Sequence, residues 1–380
     1  MPPDIIDLDA QATTPLASEA LEAMLPWLER QHWNPHSAHR GGRMAKAAVE
    51  AARIEVAALL GQAPEGIVFT SGATEANNLA LKGALELAPK GCNRLITFAT
   101  EHSCILESAR HLGRRGVPVT ILPVLPDGMP DLAAYDQALG ADVALVSAMR
   151  VNNEVGSIWP TAALAGMARA HGALFHTDAA QAFGKVDCTD LGADLISLSA
   201  HKMHGPKGIG ALWVRPGVVL APQQDGGGQE SGLRSGTLAP ALCAGFGAAA
   251  RRARQHMAAD EAHVRTLLSE ALRALATIAH HINGPDPLSA HRWPGNLSVT
   301  LPGVDANRLI AKLPALALSS GAACSSGANR SSHVLAALGL APAHIRQTLR
   351  LGWNRGMSPA MLAEALAQFT AAARRLKAAA

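Results

Sequence analysis

Three strand-sized apolar runs each end in residues suited to holding or activating a small molecule. Ile67-Val68-Phe69 leads into Thr70-Ser71-Gly72-Ala73-Thr74-Glu75. Small residues let backbone N–H groups approach an anion, and a helix start adds positive potential, so this turn can cradle a phosphate. It also reads as an ordinary helix start with Glu75 in the first turn. It is not a Walker A loop, because no Gly-Lys-Ser/Thr follows at the required spacing. Leu174-Phe175 leads into His176-Thr177-Asp178-Ala179-Ala180-Gln181, where Asp178 can cap a helix or pair with a protonated ring nitrogen. Leu195 to Leu198 leads into Ser199-Ala200-His201-Lys202-Met203-His204-Gly205-Pro206-Lys207-Gly208. Lysine is scarce in this chain, and an amine, unlike a guanidinium, can lose its proton when desolvated and form a Schiff base. His201 and His204 could instead ligate a metal, but no third ligand is suggested nearby and no metal site is expected. A phosphate anchor, an acid for a pyridinium nitrogen and a lysine for an aldehyde together suit pyridoxal 5′-phosphate (PLP). Gly226-Gly227-Gly228 does not sit between strand and helix as a dinucleotide fingerprint requires.

The elements that must position these turns alternate. Further strand-sized runs occur at Leu95 to Phe98, Val117 to Leu122, Val143 to Val146 and Ile209 to Val214. Helical segments such as Thr74 to Leu87 and Thr161 to Ala170 lie between them. This alternation predicts an α/β fold, a mostly parallel sheet covered by helices on both faces. Ligands of such sheets bind at the carboxyl ends of the strands, which is where the three turns stand. The pattern changes after Thr237: Ala241 to Ala276 reads as one long helix, with Arg251, Arg252 and Arg254 on solvated positions. Strands return at Leu297 to Leu301, Leu316 to Leu318 and Thr348 to Leu351, and Ala360 to Lys377 reads as a final helix. The expected organisation is a large domain over residues 13–255 and a smaller α/β domain built from residues 1–12 and 256–380.

Composition narrows the function classes. Of the 380 residues, 48 % are hydrophobic and 17 % charged, enough apolar material for a packed core and too little charge for disorder. Aromatics are only 3 %, so aliphatics and alanine must fill that core. The net charge of +3 is dispersed, without the basic stripe and stacking aromatics of a nucleic-acid binder. No apolar run approaches the roughly 18 residues of a membrane span, and the acidic start predicts no secretory signal. Cys92, Cys104, Cys188, Cys243 and Cys324 are widely spaced and odd in number, so a disulfide framework is not expected. A cytoplasmic location follows as the expectation.

Ser-Gly-Ala-Thr-Glu (71–75), Glu101-His102, Asn152-Asn153-Glu154, His-Thr-Asp-Ala-Ala-Gln (176–181), Ser-Ala-His-Lys (199–202), Gly-Pro-Lys-Gly-Ile-Gly (205–210), Arg-Ser-Gly-Thr (234–237) and Ser-Ser-Gly-Ala-Ala-Cys-Ser-Ser (319–326) occur in this order. The set resembles a cysteine desulfurase of the NifS/IscS type, in the class V aminotransferase group, and spans nearly the whole chain. The resemblance implies a fold-type I PLP enzyme with a seven-stranded sheet, acting as a homodimer. Lys202 would bind PLP, Asp178 would pair with its pyridine nitrogen, and His102 would stack on the ring. Asn153 and Gln181 would contact the ring or its phenolic oxygen. Ala73, Thr74, Ser199 and His201 would hold the phosphate, with Thr237 reaching it from the neighbouring subunit. Arg350 would bind the α-carboxylate of L-cysteine through a bidentate fork, with Asn34 lining the same pocket.

Cys324 selects the reaction. A lone cysteine is usually a small buried hydrophobe, but the tract from Ser319 to Ser332 is too polar for core. In the family context Cys324 would attack the substrate sulfur, leaving L-alanine and a persulfide for transfer to an acceptor protein, a scaffold or a sulfurtransferase. That sulfur would serve iron–sulfur cluster assembly or tRNA thiolation. Lys202 would act as base with His102 shuttling protons, and the other four cysteines are expected to be structural. Three residues depart from the family pattern: His36, Arg150 and Ser231. The short stretch after the last helix makes docking to a scaffold a weaker expectation than the chemistry. The rival readings are a transaminase or selenocysteine lyase on the same scaffold, or a PLP-bound sulfur-relay subunit with little turnover.

Overall fold

The computed structural model describes residues 5–320 and 331–378. A two-residue strand, β1 (Ile6–Asp7), and helices α1 (Ser18–Glu29) and α2 (Arg40–Leu60) precede the alternating region. That region supplies β2 (Ile67–Thr70), α3 (Ala73–Glu86), β3 (Arg94–Phe98), α4 (Ser103–Arg114) and β4 (Val119–Leu122). It continues with α5 (Leu132–Ala138), β5 (Val143–Ser147), α6 (Thr161–Ala170), β6 (Leu174–Asp178), β7 (Leu195–Ser199) and β8 (Gly210–Val214). Every residue of β2, β7 and β8 is buried, as expected of strands covered on both faces.

These strands form one seven-stranded sheet in the order β2-β8-β7-β6-β5-β3-β4. The run from β7 to β4 is parallel throughout, as the alternation predicts. β8 is the exception, antiparallel to both β7 and β2. Two reversals restore direction, so β2 runs with β7, and the turns after β2, β6 and β7 open on the same edge of the sheet. That shared edge brings the three chemistry-bearing segments together.

α7 (Pro240–Leu275) begins at a proline, which suits the first helical turn, and continues unbroken for 36 residues. Residue 255, the expected domain boundary, lies inside it. Phe246 of α7 makes edge contacts with Phe69 of β2 and Phe183 after β6, at ring separations of 6.4 and 6.1 Å. Beyond α7, β9 (His281–Asn283), β10 (Asn296–Thr300), β11 (Leu316–Ala317), β12 (Ser319–Ser320) and β13 (Thr348–Gly352) follow, and helix Pro359–Ala378 closes the described chain. Strands β12-β13-β10-β9 make an antiparallel sheet, while β11 pairs in parallel with β1. The residues just after β1 turn away from that pairing towards the edge of the large sheet. A single hydrophobic cluster includes Phe69, Phe246, Leu349 and Phe369, so the two sheet regions share one core. Among the described residues no helix is long and apolar enough to cross a membrane.

Gly210 opens β8 and pairs with both Thr70 and Ser199. A Cβ there would stand 2.4 Å from the Leu198 carbonyl oxygen and 2.7 Å from Gly72 Cα. Both neighbours are backbone and cannot swing aside, so Gly210→Ala is expected to cost about 1–3 kcal/mol of stability. A urea unfolding midpoint lowered accordingly, with an unchanged m value, is the measurement that checks it.

Candidate active site

The edge where the three turns meet holds a cavity of about 480 Å³. Ala73, Thr74, His102, Asn153, Asp178, Gln181, Ser199, His201 and Lys202 all line it. Nine residues singled out from the sequence are therefore gathered in one place. Lys202 lies in the single helical turn Ala200–Lys202 that caps β7. Its Nζ donates to the carbonyl oxygens of Gln11 and Ala12, each at 2.7 Å. The segment after β1 thus crosses the sheet edge and supplies acceptors to the amine. Thr13 of the same segment meets His201, with Oγ1 3.0 Å from Nδ1. Burial, followed by the charges of Lys202 and Lys207, pushes the His201 pKa down to about 4.

Asp178, the last residue of β6, is buried and held in a defined orientation. Its Oδ2 accepts from Asn77 Nδ2 at 2.7 Å, and its Oδ1 accepts from the Ala180 N–H at 2.9 Å. Asn77 also donates to Cys104 Sγ at 3.1 Å, and that sulfur lies 3.0 Å from His102 Nδ1. Burial pushes the Cys104 thiol up to about 12, so it keeps its proton. An acceptor-only carboxylate turns the Asn77 amide nitrogen towards Asp178 and Cys104, which leaves the thiol proton to point at His102. The Cys104 backbone N–H also donates to His102 Nδ1, at 3.2 Å. Burial lowers the His102 pKa, so the ring is neutral, and with Nδ1 accepting twice its proton sits on Nε2.

The residues present fit PLP. Ala73 and Thr74 occupy the first turn of α3, where backbone N–H groups have no acceptor one turn back. Gly72 precedes them at φ 156°, and a Cβ there would meet nothing within 4 Å, so the approach to the helix start is open. Glu75 does not close that approach: its carboxylate accepts from the Ser71 N–H at 2.7 Å and pairs with Arg234 at 2.7 Å. A donor-rich helix start, an oriented carboxylate and an amine therefore face one volume, matching the phosphate, ring nitrogen and aldehyde of PLP. No group of three or more His, Cys, Asp or Glu placed to hold a metal occurs among the described residues.

Three other expected residues stand apart from this lining. Arg350, on β13, is 3 % exposed and joins the cavity wall through Asn153, donating to its carbonyl oxygen at 3.2 Å. It also pairs with Asp9 at 2.7 Å. Asn34 is exposed, with its Oδ1 accepting from the His36 N–H at 2.9 Å. Thr237 is also exposed. Cys324 lies outside the described residues. Cys104, expected to be structural, lines the cavity and lies against His102, a contact that was not anticipated. Its place two residues after Glu101-His102 was the signal. Gln11, Ala12 and Asn77 were missed as well, since neither residue type nor spacing distinguishes a backbone carbonyl or a mid-helix amide.

Comparison with known proteins gives the same picture. Residues 6–354 match the Aminotransferase class-V family. The chain is 44 % identical to a mitochondrial cysteine desulfurase of Saccharomyces cerevisiae, over 92 % of this chain and 71 % of that protein. It is 43 % identical to the cysteine desulfurase IscS of Rickettsia bellii, over 92 % of this chain and 86 % of that protein. Among solved structures, a NifS-like protein superposes with a TM-score of 0.90 at 32 % identity, covering 96 % of this chain and 98 % of that one. SspA in complex with cysteine superposes with a TM-score of 0.81 at 35 % identity, covering 92 % and 98 %.

Beneath the cavity, His176 of β6 is fully buried between the Ser147 and Ser197 hydroxyls, 2.9 Å from each. Burial pushes its pKa down to about 3. Below about pH 6.5 the unfolded chain binds a proton at this position that the folded chain refuses, so stability falls as pH falls. Glu101 and Glu154, whose pKa values burial raises, act in the opposite sense, so a variant must isolate the histidine. His176→Gln retains hydrogen bonding to the serines without titrating. Between pH 6.5 and 5 its unfolding free energy is expected to change less steeply than the parent's, by up to about 1.4 kcal/mol per pH unit, as measured by urea titration.

Proposed function

Because this chain belongs to the cysteine desulfurases of the aminotransferase class-V family, we propose that its edge cavity is where L-cysteine loses sulfur, with Lys202 holding the cofactor and Cys324 receiving the sulfur. The protein is a PLP-dependent enzyme whose products are L-alanine and protein-bound sulfur. One observation carries the residue assignment: the Lys202 amine and the Asp178 carboxylate border the same cavity as the first turn of α3. PLP, when bound, draws electrons from the substrate Cα and so weakens the bonds around it.

The chain supplies the rest. Ala73 and Thr74 amides, with Ser199 and His201, would hold the phosphate. Asp178, kept in place by Asn77, would accept a ring N–H. His102 would stack on the ring, and Asn153 and Gln181 would contact the ring or its phenolic oxygen. Lys202 is the base that takes the Cα proton. His102, with its proton on Nε2, serves first as a donor. Arg350 forms a fork for the substrate carboxylate, and its bonds to Asp9 and the Asn153 carbonyl support that orientation. A solved relative held with cysteine supports L-cysteine as the ligand.

The Cys324 thiolate attacks the substrate sulfur. An S–S bond forms and the substrate C–S bond breaks, its electron pair passing to carbon, which gains a proton to end as alanine. Cys324 is left as a persulfide, so no external oxidant or reductant is needed. The ionised thiol is the nucleophile, so the rate rises with its deprotonated fraction. An acceptor protein, a scaffold or a sulfurtransferase, then takes the sulfur. The exposed position of Thr237, away from its own chain's cavity, supports a homodimer in which it serves the partner's phosphate site.

Two variants check the assignment. Cys324→Ala is expected to retain PLP yet yield no persulfide, with alanine formation reduced by at least about a hundredfold. Mass spectrometry of the protein after mixing with L-cysteine reads the first quantity and amino-acid analysis the second. Lys202→Ala is expected to lose the visible absorbance of lysine-bound cofactor. An undiminished desulfurase rate in the cysteine variant would remove Cys324 from the reaction.

A further inference from the structure

The residues on either side of the tract that carries Cys324 are fixed in the surroundings of Arg350. Before the tract, Ser319 and Ser320 form β12 and pair with Arg350 and Leu349 of β13. The Ser319 hydroxyl lies 3.4 Å from Arg350 Nη2. After the tract, the Ser332 hydroxyl donates to Glu154 Oε2 at 2.5 Å, and both residues are buried. Glu154 belongs to a turn at residues 152–155 in which Asn152 Oδ1 accepts from the N–H groups of Glu154 and Val155, at 2.8 and 2.9 Å. Asn153 of that turn lines the cavity, and its carbonyl is the one that accepts from Arg350. Cys324 stands four residues after Ser320 and eight before Ser332.

The Ser332–Glu154 contact is fully specified. A serine hydroxyl has one proton; directed at Glu154, it leaves a lone pair for the Leu335 N–H, which donates to Ser332 Oγ at 3.1 Å and caps the short helix His333–Ala337. That helix has its own attachments. Val334, Leu335 and Leu338 pack with Val155 in a small apolar cluster, and His333 Nε2 lies 2.8 Å from the Glu101 carbonyl oxygen. Loss of the Glu154 contact would therefore free the end of the tract rather than the helix. Burial pushes the Glu154 pKa up to about 7 against the pull of Ser332 and Arg350, so at pH 8 the carboxylate is ionised and accepts. A chain held at both ends confines what lies between, and a shorter free span raises the local concentration of any group it carries.

We propose that Glu154 and Ser332 are positioning residues that pin the downstream end of the Cys324 tract beside Arg350, so that its thiol is presented to the sulfur of bound cysteine. The proposal rests on the reading of Cys324 as the sulfur acceptor. Pinning acts on the attacking group, so its loss slows sulfur transfer and leaves cofactor and substrate binding alone. Holoenzyme is mixed with excess L-cysteine at pH 8. The change in cofactor absorbance reads substrate binding, and alkylation followed by mass spectrometry reads persulfide on Cys324 against time. Glu154→Leu removes the acceptor and keeps the helix cap, while Ser332→Ala removes the donor and keeps the turn. Each is expected to form persulfide roughly tenfold more slowly than the parent, with PLP content and the half-saturating cysteine concentration unchanged. Glu154→Gln and Ser332→Thr keep acceptor and donor and are expected to stay within about threefold of the parent. The double variant Glu154→Leu/Ser332→Ala is expected to be no slower than the slower single variant, because both remove the same contact.

A parent whose persulfide forms on a cysteine other than Cys324 overturns the reading of the sulfur acceptor, and this inference with it. A parent labelled at Cys324 whose time course is matched by Glu154→Leu and Ser332→Ala overturns the positioning role alone, as does a loss confined to cysteine binding. Should Glu154→Leu fail to fold, Ser332→Ala against Ser332→Thr decides.

Discussion

The site depends on capture of the Lys202 ammonium by two backbone carbonyls from the segment after β1, some 190 residues earlier in the chain. An ammonium at the end of a buried strand has donors only and must find acceptors nearby. Gln11 and Ala12 supply them. Their position is set by β1, which pairs with β11, and by Asp9, which pairs with Arg350. Lys202 and Arg350 are therefore tied to one short segment, although they belong to different sheet regions. A register slip between β1 and β11 would displace both.

A second constraint runs from Asp178 through Asn77 and Cys104 to His102. Each member has limited donor and acceptor capacity, so fixing one fixes the next. The chain from Asp178 through Asn77 to Cys104, with the Cys104 backbone N–H, leaves the His102 proton on Nε2. These bonds fix the orientation of four side chains, while the buried Asn77 Oδ1 has no partner among the described residues.

Much of this arrangement was legible in the sequence. Apolar runs bounded by small polar residues marked the strands and their ends, and α/β topology dictates that ligands meet those ends. Asp178, Lys202 and the Gly72 turn could thus be read as partners before any coordinates. The reversed strand β8 could not, because an apolar run carries no sign of direction. The carbonyls of Gln11 and Ala12 were equally silent, since any residue offers one. Asn77 lay inside a helix, where spacing shows which face it shares but not which distant acid approaches that face. The pattern changes after Thr237, but such a change does not say where along a continuous helix one domain passes into the next; Phe246 of α7 packs on Phe69 of the large sheet.

The unbroken course of α7 bears on how the enzyme can admit its substrate. A helix whose backbone bonds run without interruption behaves as a stiff rod, and bending it sharply would forfeit several of those bonds. Since this rod leaves the large sheet at Phe246 and reaches the second sheet region without a joint, it cannot serve as a hinge between them. Any relative motion of the two sheet regions must then pivot or slide along this rod rather than bend it.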